Sequence, residues 1–389
     1  MLKNTKIRGF CLIIIYGLLS LHPPHYEEKL LSKVSPSQKI LFAIDEVGLV
    51  DHLVAIARQF SDAGGSAYVV ELSGLKLPEW AKSSLGFATF VPESQGLARA
   101  NKWDAIWFAR PYPRALAQEW QKIQRQIPVV YSGYGLPISR WDESAPLPFL
   151  QEVCNLIILR SSSEEERIRD LGLSHKAIAA GDPLLHDVIT ARRFWQESSG
   201  YRSLLWAPHW SKKISGARGF YNWRWTVGPL LRHMRKNPNL KLVVRAHPFL
   251  FRPGSEFSRH RNVRKLFSLP NVSNSDSSLI RDIERADALI TDGVSIIGYF
   301  AATGKPLVIT NHLLFRPPFS FEGKKLAGAA RRVSTSWGVK RFLALLQRDY
   351  ANALSKKVVP QELLRELLIV TGIPPGEWLA RYRFKSADS

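Results

Sequence analysis

Short apolar runs that alternate with amphipathic helical patterns constrain the fold of this chain more than any other feature. After Ser37, each run has the length and bounding residues of a buried strand, and the segments between them repeat apolar residues at three-to-four spacing. This alternation predicts βαβ units and a parallel sheet. The predicted strands are Lys39–Ile44, Ala67–Glu71, Phe87–Val91, Asp104–Ala109, Pro128–Ser132, Leu156–Arg160 and His175–Ala180. The predicted helices are Val50–Ala63, Arg114–Arg125 and one opened by a Ser163-x-x-Glu166 capping box.

A second alternating series follows a break at Gly181-Asp182-Pro183. Its predicted strands are Ser203–Ala207, Leu240–Arg245, Ala288–Thr291 and Pro306–Ile309, and its predicted helices are Trp225–Arg235, Ser278–Ala286 and Ser295–Ala302. A chain of 389 residues exceeds the size at which single cores usually stop growing. We therefore predict an α/β fold of two facing Rossmann-like doubly wound domains, residues 38–181 and 182–375. A ligand cleft is expected between them, at the carboxyl ends of the strands.

The net charge of +21 calls for an anionic partner. From Tyr201 to Leu250 the chain has ten Lys or Arg, several tryptophans and no acidic residue. Such a block is typical of contact with a phosphorylated substrate, an anionic membrane or nucleic acid, and also of a solvated basic face. The chain has no helix-turn-helix, zinc-finger or RNP-type motif, which argues against nucleic acid. Cys11 and Cys154 are far apart and outside any metal-ligand spacing, so neither a disulfide scaffold nor a zinc site is expected.

Residues 1–24 form an N-terminal apolar segment in which Lys3, Lys6 and Arg8 precede the run Gly9–Leu21. The run is shorter than the roughly 20 residues that a membrane span needs. Basic residues beside a short apolar run favour an interfacial anchor on the cytoplasmic face of the cell membrane. A cleaved signal peptide or a signal anchor is the alternative.

Polar residues follow three predicted strands of the second half, where ligands of open α/β sheets bind. The segments are Ala207-Pro208-His209-Trp210-Ser211-Lys212, Arg245-Ala246-His247-Pro248 and Thr291-Asp292-Gly293-Val294-Ser295. Free N–H groups at a helix start bind phosphate, and glycine allows close backbone approach. Lys212, Arg245 and His247 would add the cations that a diphosphate needs. The structural alternatives are a helix cap for Asp292 or Ser295 and an ordinary loop histidine for His247. No metal cluster and no cofactor is expected.

These segments resemble the motifs of the CDP-glycerol glycerophosphotransferase family, the teichoic-acid-type polymerases and primases with a GT-B fold. The family carries Ala-Pro-Thr-Trp-Arg, His-Pro after a buried strand, and Thr-Asp-Tyr-Ser-Ser before a helix and Gly-Lys-Pro. The resemblance covers roughly Val129 to Asn311, including Gly304-Lys305-Pro306. It implies a donor site made by His209, Lys212, Arg245, Pro248, Asp292, Gly293, Val294 and Ser295. It also implies that His247 binds or protonates the leaving diphosphate.

The chain departs from this family in its first half. Where the family has His-Gly-Thr-Pro, with a histidine that acts as base on the acceptor hydroxyl, the chain reads Tyr134-Gly135-Leu136-Pro137. A tyrosine with its usual pKa near 10 is a poor base at neutral pH. The serine pair is reduced to Ser295, and the acidic residue later on that helix is replaced near Tyr299. Asp45, Glu46 or Tyr134 is then expected to face the acceptor.

The leading hypothesis is a transferase that moves a glycerol-phosphate or related polyol-phosphate group from a CDP-linked donor. Its acceptor would be a membrane-associated polymer or lipid in cell-envelope polysaccharide synthesis, and the expected partners are that donor and an anionic membrane or polymer. One alternative is a GT-B glycosyltransferase or epimerase-like enzyme that uses a nucleotide sugar for capsule or lipopolysaccharide. Another is a catalytically silent module that binds a polyanion.

Overall fold

The computed structural model describes most of the chain from residue 38 onward. The described residues are 38–72, 74–98, 102–109, 127–137, 149–192, 200–210, 213–214, 217–218, 220–293, 295–311, 319–355, 364, 368, 373–382 and 384. Four sequence predictions lie outside these ranges: the apolar segment 1–24, the helix Arg114–Arg125, Lys212 and Val294.

The first domain is built on a seven-stranded parallel sheet. Its strands are β1 (Lys39–Ile44), β2 (Ser66–Glu71), β3 (Thr89–Val91), β4 (Ala105–Phe108), β5 (Val129–Ser132), β6 (Leu156–Leu159) and β7 (Ala177–Ala179). Their order in the sheet is β3-β2-β1-β4-β5-β6-β7, so the order reverses at β1 as in a doubly wound fold. The central strands are apolar on both faces because helices cover both sides of the sheet, whereas the edge strand β3 is largely exposed.

The helices of this part are α1 (Val50–Asp62), α2 (Glu79–Ser84), α3 (Glu93–Ala98), α4 (Ser162–Asp170) and α5 (Pro183–Arg192). The start of α4 differs from the predicted capping box. Ser161, not Ser163, is the N-cap, and its side chain accepts a hydrogen bond from the Glu164 N–H. The Glu164 carboxylate in turn accepts from the Arg160 N–H at 2.8 Å. The box therefore lies two residues earlier than the sequence pattern indicated.

The second domain repeats the same order with six parallel strands. They are β8 (Ser203–Ala207), β11 (Lys241–Val244), β12 (Val272–Asn274), β13 (Ala288–Thr291), β14 (Leu307–Thr310) and β15 (Arg331–Val333), arranged as β12-β11-β8-β13-β14-β15. A small antiparallel hairpin, β9 (Lys213–Ile214) and β10 (Ala217–Arg218), follows β8. The sequence analysis did not predict the edge strands β12 and β15, each of only three residues.

The remaining helices are α6 (Trp223–Lys236), α7 (Glu256–Arg259), α8 (Arg261–Phe267), α9 (Leu279–Arg285), α10 (Ile296–Ala301), α11 (Phe321–Ala329), α12 (Ser336–Arg348), α13 (Tyr350–Ser355) and α14 (Pro375–Arg381). The last of them returns to the first domain and packs on α1. There the Gly376 N–H donates to Gln59 Oε1 at 3.2 Å, and a Cβ on Gly376 would lie 2.5 Å from the Ile56 carbonyl oxygen. A glycine at this position therefore allows the two helices to approach closely.

Each sheet is covered on both faces by buried apolar clusters. Loops at the carboxyl ends of strands from both sheets line one shared cleft. The predicted fold class, two doubly wound α/β domains with a cleft between them, is confirmed. Within the described ranges, no helix has the combination of length and apolar character that crossing a membrane requires.

Candidate functional site

A cleft of about 510 Å³ lies between the two domains. It is bounded by the loops that follow β1 and β5 on one side and β8, β11 and β13 on the other. The predicted site residues that line it are Tyr134, His209, Arg245, His247, Pro248, Gly293 and Ser295. A groove of about 800 Å³ on the far side of α1 contains none of these strand-end residues, and its Arg58 and Asp187 pair with each other. We therefore take the smaller cleft as the candidate active site.

His247 lies in the loop that follows β11, and its own backbone fixes its orientation. Its N–H donates to the Pro208 carbonyl at 3.1 Å, which ties this loop to the one after β8. Its Nδ1 accepts from the Phe249 N–H at 3.2 Å, so the ring proton is on Nε2. Burial, and to a smaller extent the positive charge of Arg252, lower the pKa of His247 to about 4. At neutral pH the side chain is a neutral imidazole with one N–H donor.

His209 is a second neutral imidazole beside the first. Its ring centroid lies 5.1 Å from that of His247, and the two rings meet edge to face. Burial lowers the pKa of His209 to about 3, with a further contribution from His247. Trp210 and Phe249 flank His247 at centroid distances of 5.7 and 4.9 Å. This part of the cleft is thus aromatic, and its two imidazoles are uncharged at neutral pH.

Asp292 does not line the cleft, although the sequence placed it in the donor site. Its side chain is buried beneath the cleft, where Oδ1 accepts from the His209 N–H at 2.6 Å and Oδ2 from the Asn222 N–H at 2.8 Å. Burial raises the pKa of Asp292 to about 7, while these backbone N–H groups favour the carboxylate. Asp292 therefore holds the His209 loop in place through its backbone, with its carboxylate turned away from the cleft.

The turn after β13 also differs from the predicted phosphate-binding helix start. Gly293 has a φ of +133°, and a Cβ there would lie 2.2 Å from Phe220 Cδ1, so both conformation and space require glycine. The following helix, α10, has only six residues. Ser295 does not cap it, because the Ser295 hydroxyl donates to the Leu136 carbonyl of the first domain at 3.2 Å. This serine joins the two domains across the cleft.

Arg245 lines the cleft with its guanidinium already held by two carboxylates. It donates to Asp282 Oδ2 at 2.7 Å, to Ser275 Oγ at 3.0 Å and to the carboxylate of Asp51 in the first domain. The sequence prediction treated Arg245 as a cation available to a diphosphate. In this structure much of its charge is neutralised by its neighbours.

Tyr134 lies at the mouth of the cleft with 45% of its surface exposed. Its carbonyl accepts from Arg160 Nη1 at 3.0 Å, which fixes the backbone behind the phenol. Of the two carboxylates predicted at the end of β1, Glu46 lines the cleft and Asp45 does not. Of the three predicted residues on the first-domain side, Glu46 and Tyr134 therefore line the cleft.

The sequence analysis did not identify the buried polar cluster at the floor of the cleft. His52 Nε2, on α1, accepts from the Gly135 N–H at 2.8 Å and lies 3.1 Å from the Tyr299 hydroxyl on α10. That hydroxyl also donates to Asp182 Oδ2 at 3.1 Å. Burial lowers the pKa of His52, against the opposing effect of Asp182, so the ring is neutral. Because Gly135 already occupies the Nε2 lone pair, His52 is a positioning residue and is not placed to act as a base.

The basic block 201–250 does not form one surface. Arg245 lines the cleft, whereas Arg232, Arg235 and Lys236 are exposed toward the C-terminal end of α6, at the opposite edge of the sheet. Trp206 and Trp223 are buried in the core. Among the described residues, no group of three or more His, Cys, Asp or Glu is placed to hold a metal ion.

The arrangement of the two domains is similar to that of several solved enzymes. A structure of the wall teichoic acid polymerase TagF aligns over 91% of this chain and 89% of its own, with a TM-score of 0.58 and 11% identity. The structure of UDP-GlcNAc 2-epimerase from Neisseria meningitidis, bound to UDP-GlcNAc, aligns over 88% of this chain and 98% of its own. Its TM-score is 0.53 and its sequence identity is 12%. The structure of S. aureus MnaA with UDP aligns over 82% of this chain and 91% of its own, with a TM-score of 0.51 and 12% sequence identity.

No protein-family model matches the chain, and no curated protein matches it. At such low identity the solved structures establish the fold, a two-domain α/β architecture of the GT-B type.

Proposed function

We propose that this protein is a GT-B-type transferase that binds a nucleotide-diphosphate-linked donor in the interdomain cleft. The group it moves is glycerol phosphate or a related polyol phosphate from a CDP-linked donor. The acceptor is a membrane-associated polymer or lipid in cell-envelope polysaccharide synthesis. The motif resemblance supports the donor class. The likeness to TagF supports the fold that such an enzyme needs.

The orientation of His247 carries this proposal. The imidazole lies at the carboxyl edge of the second sheet, and the Phe249 N–H fixes its tautomer so that Nε2–H remains as a donor. A preorganised donor in a partly buried cleft stabilises negative charge that develops on a leaving group. With a pKa near 4 the ring is neutral, so at neutral pH it acts as a hydrogen-bond donor rather than as a source of a full proton.

The transfer step follows from these positions. An acceptor hydroxyl attacks the donor phosphorus next to the glycerol, a new P–O bond forms, and the P–O bond to the nucleoside phosphate breaks. The hydrogen bond from His247 stabilises the leaving phosphate oxygen. Glu46 and Tyr134 line the acceptor side of the cleft, and the Glu46 carboxylate takes the proton of the attacking hydroxyl as general base.

A second candidate is a glycosyltransferase or epimerase-like enzyme that uses a nucleotide sugar. The observation that favours it is Tyr134, which occupies the position where the glycerophosphotransferase motif has its basic histidine. Transfer would then take place at the anomeric carbon, with a nucleoside diphosphate as leaving group.

Calorimetric titration of the full-length protein with CDP-glycerol, CDP, and UDP- and GDP-sugars tests the proposal. We expect CDP-glycerol to bind selectively, and single-turnover release of CMP to fall by about a hundredfold or more in His247→Ala, since this is the usual effect of removing one such donor. His175→Ala, at an exposed histidine far from the cleft, is the matched control.

Each other result has a definite meaning. A preference for a sugar nucleotide selects the second candidate. Failure to bind any of these nucleotides rejects both enzymes and favours the silent module. Wild-type turnover in His247→Ala removes this residue from the mechanism.

A further inference from the structure

We propose that the N-terminal ends of α11 and α12 form a docking surface for an anionic lipid bilayer. The inference comes from surface residues outside the cleft and does not rest on the proposed transfer reaction. The surface, called here the aromatic-basic edge, consists of Phe321, Lys324 and Lys325 on α11, Arg332 on β15, and Trp337, Lys340 and Arg341 on α12.

Two large aromatic side chains at this edge are the most exposed in the described part of the chain. Phe321 is 54% exposed and Trp337 is 63% exposed, and neither contributes to a buried cluster. Each is near the first residue of its helix. Exposed Trp and Phe side chains are typical of helices that insert one face into the interfacial region of a membrane.

Each aromatic ring is paired with a cation one helical turn later. Lys325 Nζ lies 5.5 Å from the Phe321 ring centroid, and Arg341 Cζ lies 4.5 Å from that of Trp337. Each cation therefore lies next to an aromatic ring, where it could contact lipid headgroups when the ring inserts into the membrane interface. The same pairing of an exposed aromatic ring with a cation occurs at the starts of both helices. A single exposed hydrophobic residue, which is common on protein surfaces, would not show this repetition.

The charge of the segment selects an anionic partner. Between Phe321 and Arg348 there are seven Lys or Arg and one acidic residue, Glu322. That glutamate is fully buried and accepts a hydrogen bond from Ser163 of the first domain. The surface of the segment therefore carries positive charge without a compensating carboxylate of its own, which complements anionic lipid headgroups.

The topology places both helix starts at one edge of the molecule. Helices that follow parallel strands begin at the carboxyl edge of the sheet. At the start of α11, the Ser320 hydroxyl hydrogen-bonds the Pro137 carbonyl of the first domain. At the start of α12, the Ser336 hydroxyl donates to the Trp225 carbonyl at 2.7 Å, near the start of α6. The two aromatics therefore flank β15 at the edge where the cleft lies.

Co-sedimentation of the full-length protein with vesicles tests the assignment. Vesicles of phosphatidylglycerol and phosphatidylcholine are compared with vesicles of phosphatidylcholine alone, over a series of salt concentrations. We expect selective binding to the anionic vesicles, weakened by salt. Phe321→Ala/Trp337→Ala should weaken it by about tenfold or more. Lys325→Gln/Arg341→Gln should weaken it by roughly fivefold for each charge removed.

Matched variants separate this edge from the rest of the protein. Phe87→Ala/Phe90→Ala removes two exposed aromatics from the first domain, and Arg235→Gln/Lys236→Gln removes two cations from the other end of the second. Both controls should bind vesicles like the wild type. Any contribution of residues 1–24 is present in every variant, so differences between variants report on the edge alone.

Several outcomes would overturn the proposal. Equal vesicle binding by the Phe321/Trp337 variant and the wild type does so, as does an equal loss in the control variants. Binding to a soluble acidic polymer with no binding to vesicles assigns the edge to a polymer instead. A dimer that the Phe321→Ala/Trp337→Ala change dissociates, measured by light scattering without lipid, assigns it to a second copy of the chain. Donor binding is measured separately, so its failure leaves this result unaffected.

Discussion

The guanidinium of Arg245, in the second domain, donates a hydrogen bond to the carboxylate of Asp51, in the first domain. The other carboxylate oxygen of Asp51 accepts from the Leu279 N–H at 2.7 Å, at the start of α9. One side chain of the first domain thus holds both a cation and a helix start of the second. The contact is mostly shielded from water, since the side chains of Arg245 and Asp51 are 22% and 12% exposed.

Replacing Asp51 with Asn tests how much this contact stabilises the protein. Asparagine retains an oxygen for the Leu279 N–H but removes the charge opposite Arg245. We expect the free energy of unfolding, measured in urea, to fall by about 1–3 kcal/mol. This is less than the cost of breaking a fully buried pair, because Asp282 still pairs with Arg245. Lys82→Gln, which breaks the exposed Lys82–Glu79 pair, is the control and should change stability by less than about 0.5 kcal/mol. Equal effects of the two changes would mean that the interdomain pair adds nothing.

Gly135 lies at a point where the two domains approach each other closely. It has a φ of +68°, and a Cβ there would lie 2.2 Å from Ser295 Oγ. Gly135→Ala therefore combines backbone strain with a clash, and we expect a loss of about 2–4 kcal/mol in thermal or urea unfolding. Gly172→Ala is a matched control with the same kind of φ, +70°, and open space around it, so it should cost only about 1–2 kcal/mol.

A double variant separates the two components at Gly135. Adding Ser295→Ala removes the hydroxyl that the new Cβ would meet, so Gly135→Ala/Ser295→Ala should regain part of the loss. Strain from the positive φ remains in both variants. If the second change gives no recovery, the clash with the Ser295 hydroxyl is not what limits this position.

The parallel sheets could be predicted from the sequence because both faces of their central strands are buried, which leaves continuous apolar runs. The short edge strands β12 and β15 could not, since three residues with polar neighbours carry no such run. His52 was overlooked for a related reason. It lies within a helix whose neighbouring residues form the core, and its partners Gly135 and Tyr299 are 83 and 247 residues away.

The site residues show the same limit. Polar residues at strand ends correctly indicated the location of the cleft, because topology brings those ends together. The direction of each side chain depends on contacts that local sequence does not encode. Asp292 turns inward to the His209 and Asn222 N–H groups, and Arg245 meets Asp51 from 194 residues earlier. The sequence alone therefore predicted the sheet edge at which the cleft lies, but not the direction in which each side chain points.

Tyr299→Phe tests the cluster at the floor of the cleft. The change removes a buried hydroxyl that donates to Asp182 and lies within hydrogen-bond distance of His52. We expect a loss of about 1–3 kcal/mol in urea unfolding, because Asp182 is left with an unsatisfied oxygen. Tyr201→Phe is the contrasting control, since the buried Tyr201 hydroxyl has no hydrogen-bond partner among the described residues. It should be neutral or slightly stabilising, and a Tyr299→Phe variant that behaves in the same way would show that the cluster is energetically unimportant.

The stability of the protein is expected to fall on acidification, with a contribution that can be assigned to His247. Its pKa is about 4 in the folded state, and the unfolded value is about 6.5. Between these two pH values the unfolded chain binds a proton at this residue that the folded protein does not. The stability contribution is therefore present above pH 6.5 and is lost as the pH falls toward 4. Asp292 has a raised pKa of about 7 in the folded state, so its contribution to stability increases as the pH falls through the same range.

Urea unfolding of the wild type and of His247→Asn from pH 7 to pH 4 isolates this contribution. Asparagine retains an acceptor for the Phe249 N–H and cannot titrate, and the effect of Asp292 is common to both proteins. We expect the free energy of unfolding of the wild type to fall more steeply, by about 1 kcal/mol for each pH unit between 6.5 and 4. Direct titration of the His247 ring by NMR should give the same low pKa. Parallel stability curves for the two proteins, or a ring that titrates near pH 6.5, would show that the imidazole is more hydrated than its position in the cleft indicates.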